Sequence, residues 1–138
     1  MWFVLSGELV NVLVTLSNII GVIGIFYCSG LKQLVLILSV VGSILMHLSE
    51  QKHGLPGIYP FNVYSKELLW LDRIGAYIAA IYALFFIANV TGTILIMICF
   101  AALCIFIAEV VISTQWIYYI IFHSIWHFLV YSIFLTLA

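Results

Sequence analysis

Long apolar runs broken by short polar or glycine-containing stretches set the reading of this chain. Residues 9 to 31 carry no charge, which predicts a first helix over about 10–27, ending at Cys28-Ser29-Gly30 where the glycine supplies a C-terminal cap. A second helix, about 31–53, stops at Gly54 and Pro56, because glycine caps helices and proline cannot extend one. The stretch "HGLPGIYPFNVYS" is the one extended loop. Ser65, with Glu67 behind it, predicts the N-cap and acidic first turn of a third helix over about 66–88. From Ile74 to Ala108 no residue is formally charged. As one helix this run would measure about 52 Å, too long for a single crossing. The turn is placed at "ANVTG", with a fourth helix over about 93–112. Ser113 to Gln115 form a second turn and N-cap before a fifth helix over about 116–137.

Runs of about 20 apolar residues match the ~30 Å hydrocarbon core of a bilayer. Stretches such as "IAAIYALFFIANV" lack the alternation of a lipid-facing barrel strand, and backbone groups in lipid must bond internally, so helices remain. The chain is expected to be all-α, a polytopic transmembrane bundle of about five spans in a single transmembrane domain, residues 1–138. Composition agrees: of 138 residues 67% are hydrophobic and 7% charged, against about a quarter charged in soluble domains. Net charge is −1 with four scattered Lys and Arg, which excludes a nucleic-acid surface. Cys28, Cys99 and Cys104 lack C-x-x-C spacing and read as buried small apolar residues. The first residues lack a basic n-region, so the first run is expected to be retained rather than cleaved. Lys52, Lys66 and Arg73 flank the loop between the second and third helices, against Lys32 alone on the opposite side. This places the loop on the cytoplasmic side, while Trp70 and Trp116 fit an aromatic belt.

Candidate chemistry lies where polar residues interrupt these runs. His47 is about six residues before the end of the second helix, Asp72 about six into the third, and His123 about eight into the fifth. At 1.5 Å per residue the depths are roughly 9 to 12 Å below one membrane face. Ser43 with His47, and His123 with His127, are i, i+4 pairs that share a helical face. Gly75, Ala76, Ala79 and Ala83 form a small-residue stripe beside Asp72 that admits a neighbouring helix. Three neutral imidazoles are the ligand set of a catalytic zinc site with an open fourth position. Zinc lowers the pKa of a coordinated water to about 7; Asp72 would hold or deprotonate that water, and Ser43 would donate to a developing oxyanion.

S-x-x-x-H at Ser43 to His47, an Asp in the next helix at Asp72, and H-x-x-x-H at His123 to His127 in the last helix together resemble the signature of the CREST superfamily. The superfamily groups alkaline ceramidases, progestin and adipoQ receptors and myomaker-like proteins, and the segments "HLSEQKHGLPGIYPF" and "HSIWH" look closest to the myomaker-like branch. The resemblance implies an intramembrane Zn2+ held by His47, His123 and His127, with Asp72 and Ser43 beside it, and a hydrolase acting on a lipid amide or ester. It also implies an alternative, a non-enzymatic zinc-containing membrane protein engaged in lipid binding or membrane remodelling. Family members have seven helices with the final motif in the seventh. Five helices keep the direction of the last one but leave fewer walls, open to membrane lipid or to a second copy in a homo-oligomer.

Each residue also has a plainer reading. His123 and His127 also read as interhelical or interfacial hydrogen-bonding groups, His47 can snorkel, Asp72 can pair with Arg73 or serve as a helix-start carboxylate, and Ser43 can bond its own backbone. His53, past the second helix, reads as solvated. Glu50 shares the Ser43 and His47 face by i+7 spacing and would sit at the site entrance. Glu109 reads as an interfacial anchor ahead of a support for the site, and Tyr131 as packing. A bis-histidine haem is disfavoured because His123 and His127 share one face, and a proton conduit because no helix carries a polar stripe along its full length.

Overall fold

The computed structural model describes residues 5–111 and 115–137. The first crossing is built from two helices, α1 (Gly7–Leu16) and α2 (Ile19–Tyr27), followed by α3 (Gly30–Ser49), α4 (Ser65–Leu84), α5 (Gly92–Phe106) and α6 (Trp116–Thr136). Four segments, Gly7–Tyr27, Gly30–Ser49, Gly92–Val111 and Trp116–Thr136, are long and apolar enough to cross a membrane. The outer surface supports this, with Phe26, Leu31 and Ile96 each more than 60% exposed, apolar side chains that lipid rather than water would cover. α4 is as long as these spans but carries Lys66, Glu67, Asp72 and Arg73 in its first half. The chain is thus an all-α bundle with the character of a multi-pass membrane protein.

Several boundaries differ from expectation for identifiable reasons. The first helix begins earlier, because Ser6 caps it by accepting from the Leu9 N–H, and Glu8 sits in its first turn. It also breaks at Ser17 and Asn18, where the Ser17 hydroxyl donates to the Val14 carbonyl and the Asn18 amide to Thr15. Such side-chain bonds compete with the helical ladder. Ser65 does not cap α4. A short 3₁₀ turn, Phe61–Tyr64, runs into it, so Ser65 is already helical. α3 ends at Ser49 and α4 at Leu84, each followed by a separate 3₁₀ turn, Lys52–Gly54 and Ile87–Asn89. Thr91 caps α5 by accepting from the Ile94 N–H, which fixes the turn where glycine and threonine placed it. After Phe106 the fifth segment widens into a π-helical turn, Ile107–Val111, that carries Glu109. The expected turn at Ser113 and Thr114 lies outside the described residues, and Gln115 makes no side-chain cap.

α3 and α4 pack antiparallel at close range. A Cβ on Gly42 would come within 3.0 Å of the Asp72 Cα, and one on Gly75 within 3.0 Å of the Ser39 Cα. The Ser39 hydroxyl lies 3.0 Å from the Gly75 carbonyl, so small residues let the backbones meet. Within the small-residue stripe Gly75 meets the α3 backbone and Ala79 packs against the core cluster on α3, while Ala76, Ala79 and Ala83 line a cavity. α1, α2 and α6 pack on the other side of α3 around Val10, Val14, Leu36, Val40 and Tyr131. Of the cysteines only Cys104 is buried. Cys99 faces outward from α5, where apolar surroundings are supplied by lipid rather than by the core.

Candidate metal centre

α3 and α6 bring the three histidines together, and all are buried, His47 at 0% exposure and His123 and His127 at 4%. α6 turns one stripe inward, with Tyr119, His123, His127 and Tyr131 at i+4 intervals. Ring centroids lie 4.6 Å apart for His47 and His123, 5.0 Å for His47 and His127, and 4.8 Å for His123 and His127. The cluster could hold a metal ion, since each residue offers one nitrogen within 4.8 Å of the others.

The surrounding hydrogen bonds set the tautomers. The Ser17 hydroxyl donates to the Val14 carbonyl at 2.5 Å, so at its 2.6 Å contact with His127 Nδ1 the oxygen accepts and the ring carries its proton on Nδ1. His47 Nδ1 donates to the Glu50 carboxylate at 3.0 Å. In neutral rings of these tautomers both Nε2 atoms face inward without a proton, and they stand 3.3 Å apart. Two lone pairs at that distance repel one another unless a cation lies between them. Metal–nitrogen bonds of about 2.0–2.1 Å in tetrahedral geometry separate two ligand nitrogens by about 3.3–3.4 Å. The pair is spaced as ligands of one ion. His123 turns Nδ1 toward Glu109 Oε1 at 3.4 Å, which leaves Nε2 as its nitrogen for the cluster. Polar partners at the far nitrogen orient metal-bound imidazoles and raise their basicity.

Asn11 fixes the chain end that carries His47 and Glu50. Its buried Nδ2 donates to the carbonyls of His47 at 2.8 Å and Glu50 at 3.0 Å, groups that the end of α3 would otherwise leave unpaired. The Tyr119 hydroxyl donates to Glu50 Oε2 at 2.6 Å. Burial pushes the Glu50 carboxyl up, but the hydrogen bonds from His47 and Tyr119 outweigh it and hold the group below its ordinary value. On the other flank the Tyr131 hydroxyl donates to Asn18 at 2.6 Å while its ring stacks on His127. Its role is the packing expected of it, directed at a site residue.

Ser43 lies inside the cluster, its hydroxyl 3.2 Å from His127 Nε2, and not turned back on its own helix. Asp72 lines the same cavity from α4, but among the described residues it makes no hydrogen bond to a histidine. The carboxylates that approach the rings are Glu50 and Glu109. Glu50 is 6% exposed and supports His47 rather than guarding an entrance. Glu109 faces inward as well as toward Lys52, so it is more than an anchor. His53 is the clearest correction: its side chain is 6% exposed instead of solvated. Trp116 is drawn into the core, with Nε1 donating to the His53 carbonyl at 2.9 Å; Trp70 stays exposed, against Arg73.

A cavity of about 1070 Å³ runs from the polar end, at Glu50, Lys52, Lys66 and Arg73, past Ser43, His47 and His127 to an apolar end at Ala80, Leu84, Ile98 and Phe134. α4 packs on α3 and α5 on α6, so α4 and α5 face each other across this space. No family model, curated protein or solved structure matches the chain.

Proposed function

We propose that the protein is an intramembrane zinc-dependent hydrolase acting on a lipid amide or ester, of the kind the CREST signature implies. The observation that carries this reading is the facing pair of Nε2 atoms of His47 and His127 at 3.3 Å, clustered with His123 beside a largely apolar cavity. Three histidines leave one position of a tetrahedral ion open. Zinc bound there would supply Lewis acidity toward a carbonyl and make a hydroxide nucleophile accessible near neutral pH.

The chain's own groups would divide the remaining work. An acyl chain occupies the apolar length between α4 and α5 while its carbonyl reaches the histidine end. Ser43, one turn from His47 on α3, donates a hydrogen bond to the carbonyl oxygen as charge develops on it. Asp72, on the opposite wall, takes the proton of the attacking water and returns it to the leaving amine or alcohol. Glu50 and Ser17 hold the His47 and His127 rings at Nδ1, Glu109 lies beside His123, and all three stay out of the proton transfer.

A second reading, a non-enzymatic metal centre serving lipid binding or membrane remodelling, is favoured by one feature. Asp72 makes no hydrogen bond to the histidines, whereas the carboxylates that do approach them are engaged at Nδ1. The deciding experiment is a panel of ceramides, N-acyl amides and glycerolipid esters offered to the purified protein, with metal content measured in parallel. Hydrolysis by wild type that disappears in Asp72→Ala while zinc is retained supports the enzyme. Zinc without any product across the panel supports the second reading, and turnover unchanged in Asp72→Ala rules out this mechanism.

A further inference from the structure

Glu50 and Glu109 are shared with a second cluster that neither reading uses. With His53 they present ligand atoms within 4.8 Å of one another, on the loop side of the three histidines. His53 Nε2 is buried without a hydrogen-bond partner. Its nearest acidic group, Glu109 Oε2, is 3.4 Å away, outside good hydrogen-bond geometry. A buried polar nitrogen left unpaired is unfavourable, and the protein has taken trouble to bury this one. His53 adopts φ 58°, a left-handed backbone uncommon outside glycine, and strain of this kind collects at functional sites. The Trp116 indole holds its carbonyl, and its ring packs on Tyr119 at 4.6 Å between centroids.

The carboxylates have room for a further partner. Glu50 receives both of its hydrogen bonds on Oε2, leaving Oε1. Glu109 directs Oε1 to His123 and Oε2 to His53 and Lys52. Among the described residues, Lys52 Nζ, 3.5 Å from Glu109, is the one lysine or arginine in contact, and its side chain is 56% exposed, so it can swing into solvent.

We propose that Glu50, His53 and Glu109 bind a second divalent cation, of the first-row transition class that accepts imidazole and carboxylate ligands together. Glu50 then holds the His47 N–H of the first site on one side and the second ion on the other, and Glu109 lies between that ion and His123 Nδ1. Charge drawn toward the second ion weakens the support given to His47 and His123, so occupancy of one site alters the affinity of the other, reciprocally. The assignment rests on the Glu50, His53 and Glu109 geometry and stands whether or not the protein is a hydrolase.

The test is titration of the chelator-stripped full chain in detergent with ZnCl2, read as zinc per chain by mass spectrometry after gel filtration and as affinities by calorimetry. Wild type is expected to hold about two ions, His53→Asn about one, and His123→Ala/His127→Ala about one. Lys52→Met is expected to tighten only the site that His53→Asn removes, by several-fold, a gain that misfolding cannot produce. Wild type holding one ion, with His53→Asn unchanged, overturns the second site and leaves the first standing. One ion lost alike in His53→Asn and in the double variant means a single shared site and also overturns the proposal. Two ions retained in His53→Asn would do the same, whatever the double variant shows.

Discussion

The two walls of the cavity are built to different specifications. On the wall of α1, α3 and α6, His47 and His127 meet hydrogen-bond partners at Nδ1, with Glu50 held by Tyr119 and the α3 end by Asn11, while His123 Nδ1 lies 3.4 Å from Glu109 of the fifth segment without a hydrogen bond. Away from its polar end, where Ser65, Lys66, Arg73 and Glu109 lie, the wall of α4 and α5 offers alanines, aliphatic side chains and Asp72. A metal centre needs fixed donors, because a polar group left unpaired in a dry interior is costly and a displaced ligand loses the ion. A channel for acyl chains needs the reverse, a smooth surface without hydrogen-bonding demands. On the proposed reading, the difference separates binding an ion, on one wall, from using it, across the gap.

Perturbations on the first wall should abolish the centre. His127→Ala leaves His47 Nε2 without its facing ligand, and loss of the three-histidine ion is expected along with all hydrolysis. Metal analysis beside a lipid assay checks this. An intact ion in that variant would break the comparison, because the ligand set would lie elsewhere. On the opposite wall, Asp72→Asn keeps shape and removes the base. It is expected to lower turnover by about 10²–10⁴-fold, the usual worth of general acid–base catalysis, with metal content unchanged.

How much of this the sequence carries depends on the range of the interactions. Helix positions and the convergence of Ser43, His47, Asp72, His123 and His127 on one cavity follow from periodicity and from counting turns, since alternate helices return to the same face. The supporting groups do not. Ser17 and His127 are 110 residues apart and Tyr119 and Glu50 are 69 apart, and such pairings depend on how helices rotate against one another. A signal was nevertheless present. Asn11, Ser17 and Asn18 interrupt an uncharged run, and polar residues inside a span usually have work to do. Tyr119 extends the spacing of His123 and His127 by one turn toward the N-terminus. His53 was invisible for another reason: it adopts a left-handed backbone in the short turn after α3, and a histidine beside Gly54 and Pro56 otherwise reads as solvated loop.

A milder change on the first wall tests whether its hydrogen bonds matter beyond packing. Ser17→Ala removes the acceptor at His127 Nδ1 and frees the ring to take the other tautomer. Metal affinity is expected to fall about 10–100-fold, the usual cost of losing such a partner, while Ser17→Thr retains most of it. Calorimetric titration of the stripped protein gives both values, and equal affinity in all three proteins would mean that the ring is held by packing alone.

The smallest effect is expected where the two walls meet. Gly42 lies against Asp72 across the α3–α4 contact, and the Cβ of Gly42→Ala would stand 3.0 Å from the Asp72 Cα and 3.2 Å from its backbone nitrogen. Both neighbours are backbone, so α4 must retreat by a few tenths of an ångström, carrying Asp72 away from Ser43 and the histidines. None of the groups that hold the ion is on α4, so the metal is expected to stay. Misplacement by about 1 Å can cost about 10²-fold in rate, so this smaller shift should lower turnover by roughly several-fold with KM little changed. Steady-state kinetics beside metal analysis separates the outcomes. Loss of metal from Gly42→Ala would show that α4 supports the ion after all, and full activity would show that the position of Asp72 is set by the loop before α4 rather than by its contact with α3.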